Sequence, residues 1–197
     1  MRRLLIFFIV FGVMVSLSMC IESTWKHPEG SGSEVGGYNG SSEDSNVVDL
    51  VIGGQPVQLV LRTSVKEALS TKLINTNDSD IVESYLSYKI IYLEYNRSLS
   101  PEEGKVSVID LSMKLGFLNP FYKHLIVDDT IFKNESEREM VKSNNITLII
   151  RVVKGNRSAT IEKVDNKTYI IEGNSLEELD KAVSRFVLAI YKGVAEK

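Results

Sequence analysis

The spacing of apolar and polar positions changes several times along this chain, and each change marks an element. In "NVVDLVIGGQPVQLVLR", β-branched runs flank Gly53-Gly54 and predict strands at 47–52 and 57–62 joined by a tight turn. Ser64-Val65-Lys66-Glu67 has the form of a capping box and opens a short helix reaching about Leu73, ended by "NTNDSD". "VESYLSYKIIYLEYN" carries Tyr85, Tyr88, Tyr92 and Tyr95 at helical spacing, yet its β-branched and aromatic composition favours a strand. That strand would place Tyr88 and Tyr92 on one face, Tyr85 and Tyr95 on the other. "NRSLSPEEGK" then reads as a hairpin loop leading to a second strand, "VSVIDLSMKL", with Ile109, Leu111, Met113 and Leu115 on one face. "KHLIVDD" adds a short strand and "ESEREMVKS" a short polar helix.

The C-terminal third has the clearest pattern. "ITLIIRVV", "SATIEKV" and "KTYIIEG" are separated by turn-like Lys154-Gly155-Asn156-Arg157 and Asp165-Asn166, which predicts a three-stranded meander. Asn174 or Ser175 then caps a helix, with Glu177 or Glu178 completing the box. Leu176, Leu179, Val183, Phe186 and Ile190 share one face of it, so it is expected to pack on the sheet through that face, with Ser184 pointing away. The expected fold class is α+β: a mostly antiparallel sheet carrying a C-terminal amphipathic helix and one or two short helices.

The first 46 residues follow other rules. Met1-Arg2-Arg3 precedes an uncharged run from Leu4 to Ile21, the layout of a secretory signal. As a helix, those residues would extend roughly 27 Å, close to the thickness of a bilayer core. Three fates remain open: cleavage after Ser18, an uncut anchor with its arginines inside, or cleavage before Cys20 and lipidation of that thiol. Residues 21–46 hold six serines and five glycines and no apolar period, which predicts a flexible linker with a reach of roughly 25–30 Å. The expected division is therefore a signal or anchor at 1–20, the linker at 21–46, one extracytoplasmic α+β domain at 47–192 and a tail at 193–197. Cys20 is the only cysteine, so a packed core must hold the fold without an internal disulfide.

Composition adds one strong signal. Asn-x-Ser/Thr sites occur at Asn39, Asn77, Asn96, Asn134, Asn145, Asn156 and Asn166. With 12 asparagines in the chain, chance would place roughly two. Used as N-glycosylation acceptors, these positions must lie on the surface, and so mark loops and element ends. The competing reading is that Asn-x-Ser is ordinary turn chemistry. A net charge of -3 and scattered basic residues give no footprint for nucleic acid. Glutamine is scarce while Lys, Glu, Ile and Val are plentiful, a balance typical of hot habitats.

Leu17-Ser18-Met19-Cys20 resembles the lipobox of prokaryotic lipoproteins, with Met19 departing from the usual Gly, Ala or Ser. Together with the sequon density, the layout resembles archaeal cell-surface lipoproteins and glycoproteins of the Thermococcales kind. "KTYIIEGNSLEELDKAVSRFVLAI" resembles the closing strand–helix unit of some archaeal surface-layer proteins. The resemblance implies an exported domain held to the cell membrane, beside surface-layer or transporter proteins.

Catalytic chemistry is hardly indicated. His27 falls in the linker, and His124 stands alone without a nucleophile elbow. Asp128-Asp129 reads as a strand running into a solvated acidic turn. Asn75, Asn77, Asp78 and Asp80 fail the calcium-loop pattern, since Asp80 and Leu86 occupy its glycine and bidentate-acid positions. The expectation is a tethered, N-glycosylated envelope protein with a structural or binding role, without catalytic residues, metal or cofactor. An extracellular hydrolase and an accessory ligand-binding transport component are the alternatives.

Overall fold

The computed structural model describes residues 42–95 and 101–197, leaving aside the side chains of Tyr95 and of residues 101–105. The expected signal, Cys20, His27, Asn39, Asn96 and most of the linker lie outside the described residues. Helices and strands are both abundant, and the chain ends in a long helix, so the α+β class holds.

The hairpin forms as the sequence indicates, from β1 (Val47–Ile52) and β2 (Gln55–Val60). Gly53 and Gly54 have φ of 57° and 76°. Both are left-handed, the geometry of a two-residue turn whose twist matches the flanking strands. A Cβ on Gly53 would stand 2.8 Å from the Phe121 ring, so close packing also requires glycine there. Val48, Leu50, Ile52 and Leu59 turn inward to the main core. α1 (Val65–Leu69) follows its capping box, with Ser64 and Glu67 each satisfying the other's backbone N–H.

The remaining strands are β3 (Lys72–Ile74), β4 (Ile90–Tyr95), β5 (Leu125–Asp128), β6 (Thr147–Lys154), β7 (Thr160–Asp165) and β8 (Thr168–Gly173). They form one mixed sheet in the order β3-β7-β8-β6-β4-β5. Only β7 and β8 pair antiparallel, whereas β3–β7, β8–β6, β6–β4 and β4–β5 are parallel. The mostly antiparallel sheet expected from the sequence is thus corrected to a mostly parallel one.

Two local misreadings account for the difference. The expected strand "VSVIDLSMKL" lies within helix α3 (Pro101–Phe117), with proline at the first helical position, where its missing N–H is harmless. Adjacent parallel strands need a crossover, and α3 supplies it between β4 and β5. Its inner face is Val108, Leu111 and Leu115, a spacing of three and four. Likewise "VESYLSYKIIYLEYN" divides into helix α2 (Asp78–Ser87) and β4, placing Tyr85 on a helix and Tyr92 on a strand. The second misreading is the meander. β6 is apolar on both faces, as central parallel strands are, and it pairs with β8 while β7 lies outside. The loop after β6 crosses the end of β8. A Cβ on Gly155 there would stand 2.0 Å from a Glu172 carboxylate oxygen.

A short helix α4 (Asn119–Tyr122) follows α3, and α5 (Glu135–Lys142) lies between β5 and β6. The last helix, α6 (Leu176–Ala195), starts at the Ser175 cap, whose side chain accepts from the Glu178 N–H. It is buried nearly all round, because the sheet lies on one side while the hairpin, α1, α2 and α3 also pack on it. Ser184 is fully buried, with its hydroxyl lacking a protein partner, so the expectation that it points away is wrong. Gly193 permits close approach of α2, since a Cβ would stand 2.3 Å from Val82. The sheet therefore has two unlike faces. One carries the main core, and the other a small cluster of Tyr92, Val127 and Ile149 under Phe132 and Val141.

Candidate functional site

From β4 the chain runs through α3 on one face to β5, then returns through α5 on the other face to β6. This reversal makes the carboxyl ends of β4 and β6 a topological switch point, where open α/β sheets commonly bind ligands. Parallel pairing sets Glu94 of β4 beside Arg151 of β6. The Arg151 Nε donates to Glu94 at 2.6 Å, and Lys142 from the end of α5 reaches the other carboxylate oxygen at 3.0 Å. One turn earlier on α5, Arg138 lies 3.0 Å from Asp129 and 2.8 Å from Glu135. The Tyr92 hydroxyl donates to Asp129 at 2.6 Å, beneath the Lys142 ammonium. Arg138 and Lys142 share a helix face because they are four residues apart.

The electrostatics follow from this pairing. Burial pushes the Glu94 carboxyl upward, but hydrogen bonds from Lys142 and Arg151 outweigh it and hold the group below the usual carboxylate range. Burial likewise opposes the charge on Lys142, and its bonds to Glu94 and Glu139 raise it nonetheless. Burial, followed by the hydrogen bond to Asp129, raises the Tyr92 hydroxyl. Each of these carboxylates is opposed by a cation. The evident work of the cluster is to fasten a polar helix to the sheet. Among the described residues, no group of three His, Cys, Asp or Glu is placed to hold a metal ion.

The other residues singled out by the sequence are dispersed. His124 is buried against the rings of Tyr85 and Tyr122, with centroids at 4.4 and 6.3 Å. Burial lowers its basicity, opposed by a hydrogen bond to the Tyr88 backbone, and its Nε2 has no protein partner. Asp128 caps a 3-10 turn by accepting from the Thr130 N–H, whereas Asp129 is buried and paired. The solvated acidic turn therefore describes only the first of the two. Near Asn75, the Asn77 side chain caps α2 and Asp78 is held by Arg185 at 2.6 and 2.8 Å. A groove of about 350 Å³ lies between the start of α2 and the end of α6, with Val82 and Gly193 in its lining and Asp78, Glu83 and Lys192 also present.

Five sequons fall on described residues, and Asn77, Asn134, Asn145, Asn156 and Asn166 are all exposed in loops or at element ends. Asn77 and Asn134 also cap α2 and α5, each side-chain oxygen accepting a backbone N–H at 2.9 Å. The ionic cluster escaped sequence reading. Its traces were Glu94 inside an apolar strand and the Arg138–Lys142 pair on an otherwise polar helix.

Among the described residues no helix is long and apolar enough to cross a membrane. No protein-family model matches the chain, and no solved structure matches it. The chain is, however, 36% identical over 214 aligned residues to "Uncharacterized protein MJ0259" of Methanocaldococcus jannaschii, with 98% of each protein covered. Similarity of that extent at that coverage makes this chain a member of the same protein family as the M. jannaschii protein.

Proposed function

We propose that the protein is a membrane-tethered, N-glycosylated component of an archaeal cell envelope, with a structural or binding role. The observation that carries this reading is the exposure of all five described sequons at loops and element ends. Asn134 and Asn156 follow β5 and β6 at one end of the sheet, while Asn145 and Asn166 precede β6 and β8 at the other. The signal-like N-terminus with Cys20 at its polar boundary supports export and attachment. A relative from Methanocaldococcus jannaschii matching over 98% of the chain supports the archaeal part of this reading. The charged cluster at the sheet's switch point is internally neutralised, which favours scaffold over enzyme.

The test is the intact mass of protein purified from its native host. Glycan on several of Asn77, Asn96, Asn134, Asn145, Asn156 and Asn166 should bring it well above the 22.1 kDa of the polypeptide. A bare polypeptide mass refutes glycosylation. The N-terminal peptide decides attachment: a lipid-modified peptide beginning at Cys20 is expected, and an unmodified peptide spanning Met1 to Lys26 overturns the lipoprotein reading.

A further inference from the structure

Helix α3 is apolar on two opposite faces, and among the described residues only one of them is covered. Val108, Leu111 and Leu115 point into the main core. On the far side, Val106, Ile109, Met113 and Phe117 stand three or four residues apart, forming one continuous stripe along the helix. Ile109, Met113 and Phe117 are 54%, 60% and 68% exposed. Phe121 of α4, beside the hairpin turn at Gly53, is also partly exposed. Isolated exposed apolar residues are ordinary, but a row over three helical turns with a core on its back is a surface made to be covered.

The chemistry around the stripe selects among occupants. Helices that lie in a lipid interface carry a basic rim. Here Lys114, beside the stripe, is largely buried and paired with Asp110 on the same helix, so that flank is locally neutral. The other flank carries Ser112 and Gly116, half-buried small residues four apart, with open space where a Gly116 side chain would be. Small residues beside an apolar seam let a second backbone approach closely. Complete mutual burial of two such stripes would remove at most roughly 1,000 Å², the lower bound of a specific interface. A seam of this spacing is self-complementary under a twofold axis, and none of the seven sequons lies on α3.

We infer that the occupant is a second copy of this chain, with the two α3 helices packed across a twofold axis through Val106, Ile109, Met113 and Phe117. The inference goes beyond the envelope reading and does not depend on how the N-terminus is held.

The test uses the full chain carrying the photo-crosslinker benzoylphenylalanine in place of Met113, irradiated in intact expressing cells. The expected product has twice the protomer mass, and peptide mapping joins α3 to α3. The same probe in place of Met140, which is exposed on α5 across the sheet, should yield at least tenfold less. Adding Ile109→Asp and Phe117→Asp should reduce the Met113 adduct at least tenfold while the far-ultraviolet circular dichroism spectrum stays that of the parent. The dimer is overturned by absence of the doubled adduct, by equal yield at position 140, or by an adduct joining position 113 to lipid, to residues 4–21 of its own chain or to another protein. Survival of the full adduct in the double aspartate variant overturns it too.

Discussion

The two faces of the sheet are held by different physics. On one, α6 and α3 bring Phe186, Val183, Leu111 and Leu115 together with Ile91, Leu93, Ile150 and Ile171 in one apolar core. On the other, α5 has no buried residue and is held largely by ion pairs from Arg138 and Lys142 to Asp129 and Glu94. Apolar burial is non-directional and scales with area, so the first face is expected to supply most of the stability. Partly buried ion pairs offset much of their own desolvation and contribute chiefly to where α5 sits.

The strongest way to break this contrast is a charge in the apolar face. Phe186→Asp places a carboxylate where the ring meets Tyr169 edge-on at 5.6 Å. It should cost several kcal/mol and leave no folded baseline in a thermal melt. Ser184→Asp should be severe as well, since that position is fully buried beside the same core. A near-neutral Ser184→Asp would mean that α6 is exposed where it is described as buried.

A milder break lies on the ionic face. Glu94→Gln removes the carboxylate shared by Arg151 and Lys142 and should cost about 1–3 kcal/mol in denaturant melts. Hydrogen exchange should quicken first in α5. A loss as large as that of Phe186→Asp would show that the charged face carries the fold.

Acidification separates the faces without mutation. His124 has a folded pKa below its unfolded one, so below about pH 6.5 the unfolded chain binds more protons and stability falls with pH. Glu94 is also depressed, but its contribution is present above the ordinary carboxylate pKa and is lost only as pH falls through its lower folded value. Melts at stepped pH should show two declines, the first near pH 6 and absent in His124→Gln, the second below about pH 4.5 and reduced in Glu94→Gln. A first decline that persists in His124→Gln refutes its assignment.

The smallest expected effect distinguishes the two helices through their asparagine caps. Asn77→Ala and Asn134→Ala should each cost about 1 kcal/mol, whereas Asn→Asp at either position keeps the cap while removing the sequon. Stability close to the parent with loss of one glycan in the aspartate variants would show that cap and acceptor are separable. Since α5 has no fully buried residue, loss of its cap should fray that helix locally, while loss of the Asn77 cap should also lower the global melt.

Local chemistry was legible wherever neighbours in sequence do the bonding. The Gly53-Gly54 turn, the Ser64–Glu67 box, the Ser175 cap, the polar α5 and the core positions Leu179, Val183, Phe186 and Ile190 all follow from residues within one or two turns of each other. The exposure of the five sequons belongs with them, because asparagine before a helix or in a turn already implies surface. What tertiary structure alone decided was direction and partnership. "VSVIDLSMKL" satisfies a period of two and a period of 3.6 at once, and only the need to join the parallel strands β4 and β5 selects the helix. The chain from 147 to 173 reads as a meander because turn residues separate its strands. It becomes a β6–β8 pair with β7 outside because β6, apolar on both faces, takes a central place. Ser184 and the Glu94–Arg151–Lys142 cluster have the same origin: burial and ion pairing depend on segments far apart in the chain, and no local period records which of them will meet.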